Sequence, residues 1–368
     1  MLIYLSVMLL SVLICQRMQS LQPQQGCLSS RSRRIQIGYC LLLAAILGIV
    51  VGWRNGVGTD YGNYIDIFTL TRGKTYGQIL KEDEPFWGFL NLFCIHQFDD
   101  YIPVFVMAAF LSVGLIVYGI YKSSTSFPVS AFLLIAGMYY FDLFNGTRQM
   151  IATAILFAAD PLAEKKKWGW LLLLTLIAMQ FHSSAWIVLV AFIFARYFKP
   201  RSWANILLVS VFLIIYLNFD FFSDYLIDFL ISSNSRYSNY ETTLSQTDLG
   251  ANVLRFGLTA VPPIFSIVLW QYLKKTGKDT GTLVNLSIIN ACFMMIATKN
   301  WIFARFCMFF GIYSILLWPR ILACFEPKSK KIMTAGVVAV YFLYFWLIVH
   351  TDSNLLPYRS WLFGGTYA

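Results

Sequence analysis

Charge is what this sequence has least of. Only 12% of its 368 residues are Asp, Glu, Lys or Arg, about half the roughly 25% typical of a soluble domain. That scarcity excludes a solvated globular fold. The seven cysteines (Cys15, Cys27, Cys40, Cys94, Cys292, Cys307, Cys324) stand singly without a CxxC pair. Their spacing fits neither a disulfide framework nor a zinc site. The three histidines, His96, His182 and His350, are too far apart to form a helical pair of ligands. No metal and no cofactor are therefore expected, beyond a Mg²⁺ held weakly by two carboxylates. An internal repeat, common in transporters, is also missing. The formal net charge of +10 lies mostly in short loops, where it reads as membrane topology rather than as a nucleic-acid surface.

What the chain has in excess is apolar residues, 58% of the total, including 32 Phe, 21 Tyr and 11 Trp. Apolar runs near the roughly 20 residues needed to cross a bilayer recur along its whole length. The expected fold is an all-α, polytopic transmembrane helical bundle. It has about 11 or 12 membrane segments in a single transmembrane domain over residues 1–368, with external loops near 54–102 and 223–250. The opening run Met1 to Cys15 has no basic leader and no small-residue cleavage site, and reads as a first span. Further spans are expected near 36–53, 103–121, 128–144, 146–163, 203–222, 252–273, 281–298, 301–320 and 332–350.

Basic loops mark the cytoplasmic face. They comprise the segment with Arg17, Arg31, Arg33 and Arg34, then Lys165 to Lys167, Arg196 to Arg201, Lys274 to Lys278 and Lys328 to Lys331. The acidic and aromatic loops, and both termini, then fall outside. Trp168 to Ala195 is basic at both ends, so one long helix would break this pattern. A hairpin of two short half-helices turning at Phe181-His182-Ser183-Ser184 restores it. Irregular backbone of that kind is tolerated at membrane depth only inside protein or beside a wet cavity.

This topology brings several ionisable residues to the external side. Arg54 ends the second span, Arg148 begins the fifth, and Arg255 and Arg305 lie just inside the external ends of later spans. A charged group within a span usually faces the bundle interior or water. Four arginines near one face suggest a shared anionic ligand, since guanidinium donates paired hydrogen bonds and stays charged. Singly, each is also readable as an interfacial residue snorkelling to headgroups. The first external loop holds Asp60 among glycines that permit tight turns. Glu84 precedes Pro85 as a helix start would, so it is both a candidate base and a candidate cap. Tyr61 and Tyr64 are candidates to stack on sugar, or members of the ordinary aromatic belt. The sequons at Asn145 and Asn285 are discarded as chance matches.

At these residues the chain resembles the EpsG family of Wzy-type bacterial exopolysaccharide polymerases. The matching features are Arg54-x-x-x-Gly58-x-Asp60-Tyr61-x-x-Tyr64, Glu84, Arg148-Gln149-x-x-Ala152 and Phe181-His182-x-Ser184-Ala185, with Arg305 a looser match. The resemblance implies a glycosyltransferase of the cytoplasmic (inner) membrane that joins undecaprenyl-diphosphate-linked oligosaccharide repeats on the outer face. Its partners would be the lipid-linked oligosaccharide, membrane lipids and other assembly proteins such as a flippase and a chain-length regulator, with no nucleic acid. It points to His182, Asp60 or Glu84 as catalytic groups and to Arg54, Arg148, Arg305 and Arg255 as diphosphate ligands. Tyr61, Tyr64 and Gln149 would contact substrate. The rival readings are a single-sugar transferase using Glu82-Asp83-Glu84, a flippase of the lipid-linked repeat, and an O-acyltransferase built on His182.

Overall fold

The computed structural model describes residues 1–22, 29–223, 250–276, 280–351 and 354–363. Apart from its two end residues, the expected external loop 223–250 lies outside the described residues. The chain is an all-α, multi-pass membrane bundle, and its described residues contain no strand. Five helices are long and apolar enough to cross a membrane: α1 (Leu2–Ser20), α2 (Ser30–Gly52), α5 (Ile102–Ser123), α12 (Thr280–Ala297) and α15 (Pro327–Thr351). Shorter helices fill in around them: α3 (Tyr61–Thr71), α4 (Pro85–Phe98), α6 (Phe127–Ala136), α7 (Thr147–Ala158), α8 (Trp168–Met179), α9 (Trp186–Tyr197), α10 (Trp203–Leu217), α11 (Val253–Val268), α13 (Ala304–Gly311) and α14 (Ser314–Leu322).

Two compact units result, Met1–Leu189 with Phe325–Ala368, and Val190–Cys324. In the first, α1 packs on α6, α2 on α5, α5 on α7 and α7 on α8. Lipid offers no hydrophobic drive between helices, so close approach through small residues does much of the work. An added Cβ at Gly52 would come within 2.9 Å of the Val106 Cα, and one at Gly119 within 2.5 Å of the Phe157 ring. Gly119→Val is accordingly expected to cost about 2 kcal/mol, read as a lowered thermal midpoint in detergent.

In the second unit α12 is the hub for α10, α11, α13 and α14. Asn285, fully buried on α12, donates to the carbonyls of Ala195 (2.9 Å) and Phe198 (2.7 Å), and Asn205 donates to its Oδ1 (3.0 Å). A side chain so enclosed serves as a polar lock that satisfies the carbonyls ending α9.

Several expected spans are interrupted. The run 128–144 breaks after Ala136 and regains one helical turn only at Asp142; Met138 takes φ 70°, and Tyr140 N–H returns to Leu134 C=O at 2.8 Å. Its backbone remains satisfied because it is buried in protein, with Tyr140 Oη donating to Leu47 C=O (2.8 Å). The run 301–320 bends by 58° between α13 and α14. The backbone at the bend tightens to Ile315 N–H→Ile312 C=O and Leu316 N–H→Tyr313 C=O, and α14 runs on through Pro319.

The run 146–163 stops at Ala158, where Pro161 starts a new short helix, Asp160–Glu164. That helix ends with Lys166 at φ 56°, Lys166 N–H on Ala163 C=O and Lys167 N–H on Leu162 C=O. This paired closure normally uses glycine at the left-handed position. Lys166→Gly is expected to add about 1 kcal/mol to stability, measurable as a raised thermal midpoint.

Candidate active site

Three chain breaks in the first unit come together around one carboxylate. Glu84 precedes α4, Arg148 is the second residue of α7, and His182 lies in the extended break between α8 and α9 (φ −153°, ψ 112°). Breaks are where a membrane helix exposes polar backbone. Here they are tied to one another: Phe86 N–H donates to Gln180 C=O at 3.1 Å.

Glu84 is 8% exposed. Its Oε2 accepts from Arg148 Nη1 (2.5 Å), and its Oε1 meets His182 Nδ1 (3.0 Å) and accepts the Ser183 N–H (3.0 Å). Burial by itself would push the carboxyl up. The hydrogen bond from His182, the Arg148 charge, the His182 charge and the Ser183 N–H outweigh it and hold Glu84 at about 2. The carboxylate therefore stays ionised at neutral pH and is a weak proton acceptor. A neutral His182 that donates from Nδ1 to this carboxylate would carry its basic lone pair on Nε2.

The sign of the linkage follows from the lowered value. A folded value of about 2, against an ordinary 4.5, means that the ionised carboxylate stabilises the fold. Its contribution, roughly 3 kcal/mol at 1.4 kcal/mol per pH unit, is complete above pH 4.5 and disappears as pH falls to about 2. Thermal midpoints of wild type and Glu84→Gln should converge over that window. Parallel curves would count against the arrangement.

Arg54 is placed otherwise than the sequence suggests. Although charged, it is 1% exposed. Its Nε donates to Val57 C=O (3.2 Å), Nη1 to Val51 C=O (2.8 Å), and Nη2 to Phe144 C=O (3.3 Å) and Thr147 Oγ1 (3.2 Å). The Phe105 ring covers its guanidinium at 4.5 Å. Arg54 thus ties the first loop to the start of α7, one residue before Arg148. The same junction is fastened by Asn145 Oδ1, which accepts Thr59 N–H (2.7 Å) and Thr59 Oγ1–H (3.1 Å). Gly58, at φ 101°, lies so close that a Cβ would fall 2.3 Å from Phe144 C=O. Neither Thr147 nor Asn145 was a candidate site residue in the sequence; their signal was the Asn-Gly turn dipeptide at 145–146, two residues before Arg148.

Tyr61 and Tyr64 are buried as well. Tyr61 stacks on Phe105 at 4.8 Å, and Tyr64 sits edge-on to Trp87 at 5.4 Å while its hydroxyl accepts the Arg148 N–H (3.4 Å). Their ring faces meet protein rather than opening to a sugar. Gln149 is buried beside Arg148 in sequence, and Asp60 is half-buried at the N-terminal edge of α3, its carbonyl accepting Tyr64 N–H (3.2 Å). Glu82 pairs with Lys74 (2.6 Å), so Glu82 and Glu84 serve different partners. In the second unit Arg255 opens α11, half-buried, and Arg305 holds its guanidinium over the Trp301 ring at 5.5 Å.

The C-terminal segment completes the first loop. Asn55 N–H donates to Arg359 C=O (2.9 Å), Gly58 N–H to Asn354 C=O (3.0 Å) and Trp361 N–H to Trp53 C=O (2.9 Å), with Arg54 and Ser360 forming a bridge. Tyr358 Oη donates to Val50 C=O (3.0 Å) and Trp361 Nε1 to Tyr61 Oη (3.3 Å).

No curated protein and no solved structure matches the chain. A family model does, over residues 37–360, and that range takes in the loop at Arg54, the Glu84 centre and the closing segment as far as Ser360. With nearly the whole sequence and this polar centre inside the match, the chain belongs to the EpsG family, Wzy-type membrane polymerases of polysaccharide synthesis.

Proposed function

We propose that the protein joins oligosaccharide repeats carried on undecaprenyl diphosphate, on the outer face of the cytoplasmic membrane, with basic loops inside and both termini outside. The observation that carries this reading is the shared hold of Glu84 on a potential base and a potential anion ligand, His182 and Arg148. The acceptor hydroxyl oxygen attacks the anomeric carbon of the donor, and its proton passes to His182 Nε2. The bond from that carbon to the phosphate oxygen breaks. Polyprenyl diphosphate leaves, and its developing charge is met by Arg148, whose guanidinium stays protonated throughout.

Glu84, an ionised acceptor, supports the orientation of both groups rather than taking the proton. Asp60 remains a second candidate for that proton. Arg255 and Arg305 remain candidate diphosphate ligands, and Gln149 a candidate substrate contact. Arg54, Tyr61 and Tyr64 are assigned to shaping the site, because their polar atoms or ring faces are taken up by protein.

The test is incubation of purified protein with lipid-linked repeats from a strain lacking its gene, in detergent, with EDTA and without nucleotide sugar. A ladder spaced by one repeat is expected. Folded His182→Ala and Arg148→Ala proteins should each lose on the order of 100-fold in elongation. A single addition per acceptor would replace polymerisation with one-sugar transfer. Wild-type ladders from both variants would remove the assignment of the site.

A further inference from the structure

A cavity of about 680 Å³ opens in the first unit between α5, α7 and α8. On α5 it is lined by Leu111, Leu115, Tyr118 and Lys122, a spacing of four, three and four residues that marks one helix face. Across from them Leu174, Ile177 and Phe181 repeat the pattern on and just beyond α8. Its two ends differ in chemistry. One is closed by Phe86 and Phe181, edge-on at 5.6 Å, which are near neighbours in sequence of Glu84 and His182. The other carries three ammonium groups, Lys122, Lys165 and Lys167, and none of the lining residues is acidic.

The lysines are arranged rather than scattered. Lys122 Nζ rests over the rings of Tyr118 (5.6 Å) and Tyr121 (5.5 Å) at the mouth. The left-handed turn at Lys166 places Lys165 and Lys167 in the lining while Lys166 takes no part in it. From Leu111 to Lys122 the face rises about 17 Å, close to half of the roughly 30 Å hydrocarbon core. A cationic end, an apolar body and a length of one leaflet define the occupant.

We propose that this groove binds one anionic phospholipid of the surrounding bilayer, its phosphate on Lys122, Lys165 and Lys167 and an acyl chain along α5 and α8 toward Phe86 and Phe181. The binding is separate from substrate recognition and requires no catalysis to be observed.

Native mass spectrometry tests it, with the protein released from detergent containing phosphatidylglycerol or phosphatidylcholine of identical chains. Wild type should retain one phosphatidylglycerol at least tenfold more often than phosphatidylcholine. The exposed-site triple variant Lys122→Gln, Lys165→Gln, Lys167→Gln should lose that preference. Lys165→Gln should weaken it, whereas Lys166→Gly, which removes one charge beside the groove, should not. Leu111→Trp with Leu115→Trp should lose retention with every lysine present. Equal retention of the two lipids, or an unchanged preference in the triple variant, would overturn the site. So would equal effects of Lys165→Gln and Lys166→Gly. Unchanged retention in a folded tryptophan variant would leave the headgroup on the surface and refute the groove.

Discussion

Replacing Glu84 by Gln is expected to cut elongation by 100-fold or more while leaving the inserted, helical protein intact. The carboxylate accepts from Arg148 Nη1 on one oxygen and from Ser183 N–H on the other, which also lies 3.0 Å from His182 Nδ1. An amide of the same shape has one acceptor and one donor, so its NH₂ must face donors on one side. Either His182 loses the partner that fixes its tautomer, or Arg148 turns away with its charge unpaired. Both outcomes misplace a group proposed for proton transfer or for charge stabilisation, each role worth about two orders of magnitude in rate. The decisive readout is the ladder assay run beside circular dichroism and thermal melting. A variant that melts earlier but elongates at the wild-type rate would make Glu84 structural only.

The opposite pattern is expected at Arg54. Arg54→Ala should fail as a folded protein, losing about 3–5 kcal/mol, since it strips donors from the carbonyls of Val51, Val57 and Phe144 in a dry interior. Lysine restores the charge but not the planar fork that reaches four acceptors, so Arg54→Lys should recover only part of the stability. Detergent-solubilised yield and the thermal midpoint report this directly. A Arg54→Ala protein with a wild-type midpoint and a raised requirement for lipid-linked substrate would instead return Arg54 to the diphosphate ligands.

Scarcity of charge is what singled out Arg148 and His182 as sequence candidates. In a sequence this apolar, Arg148 and His182 stand out because an ionisable group at membrane depth needs a reason, whereas Glu84 is one of several carboxylates in the first external loop. Their pairing was not readable: spacings of 64 and 34 residues carry no information on which carboxylate meets which cation. The same logic misplaced Arg54, because hydropathy marks a charge as costly without distinguishing a wet cavity from a cage of carbonyls. Tyr61 and Tyr64 suffered likewise, since an amphipathic ring suits a sugar, an interface or another ring equally well.

Helix content followed from composition, yet the interruptions at Ala136 and at the α13–α14 bend did not. Apolar windows register burial, whereas a break depends on whether neighbours satisfy the freed backbone, as Tyr140 and Leu47 show. Met138, a non-glycine residue in a left-handed conformation, gave no warning in the sequence. Asp60, Arg255 and Arg305 keep the standing they had as sequence candidates, and the variants named above test the centre without them.

The clasp between residues 354–363 and the loop at Trp53 to Gly58 joins segments from the two ends of the first unit. Its strands of chain are some 300 residues apart, and closing a loop of that length costs about 5 kcal/mol of entropy. Assembly of the intervening helices lowers that expense by bringing the two segments near each other. A nascent chain still held at the ribosome, or one trimmed of these residues by a protease, would carry Arg54, Glu84 and His182 and yet lack the latch over the Arg54 loop.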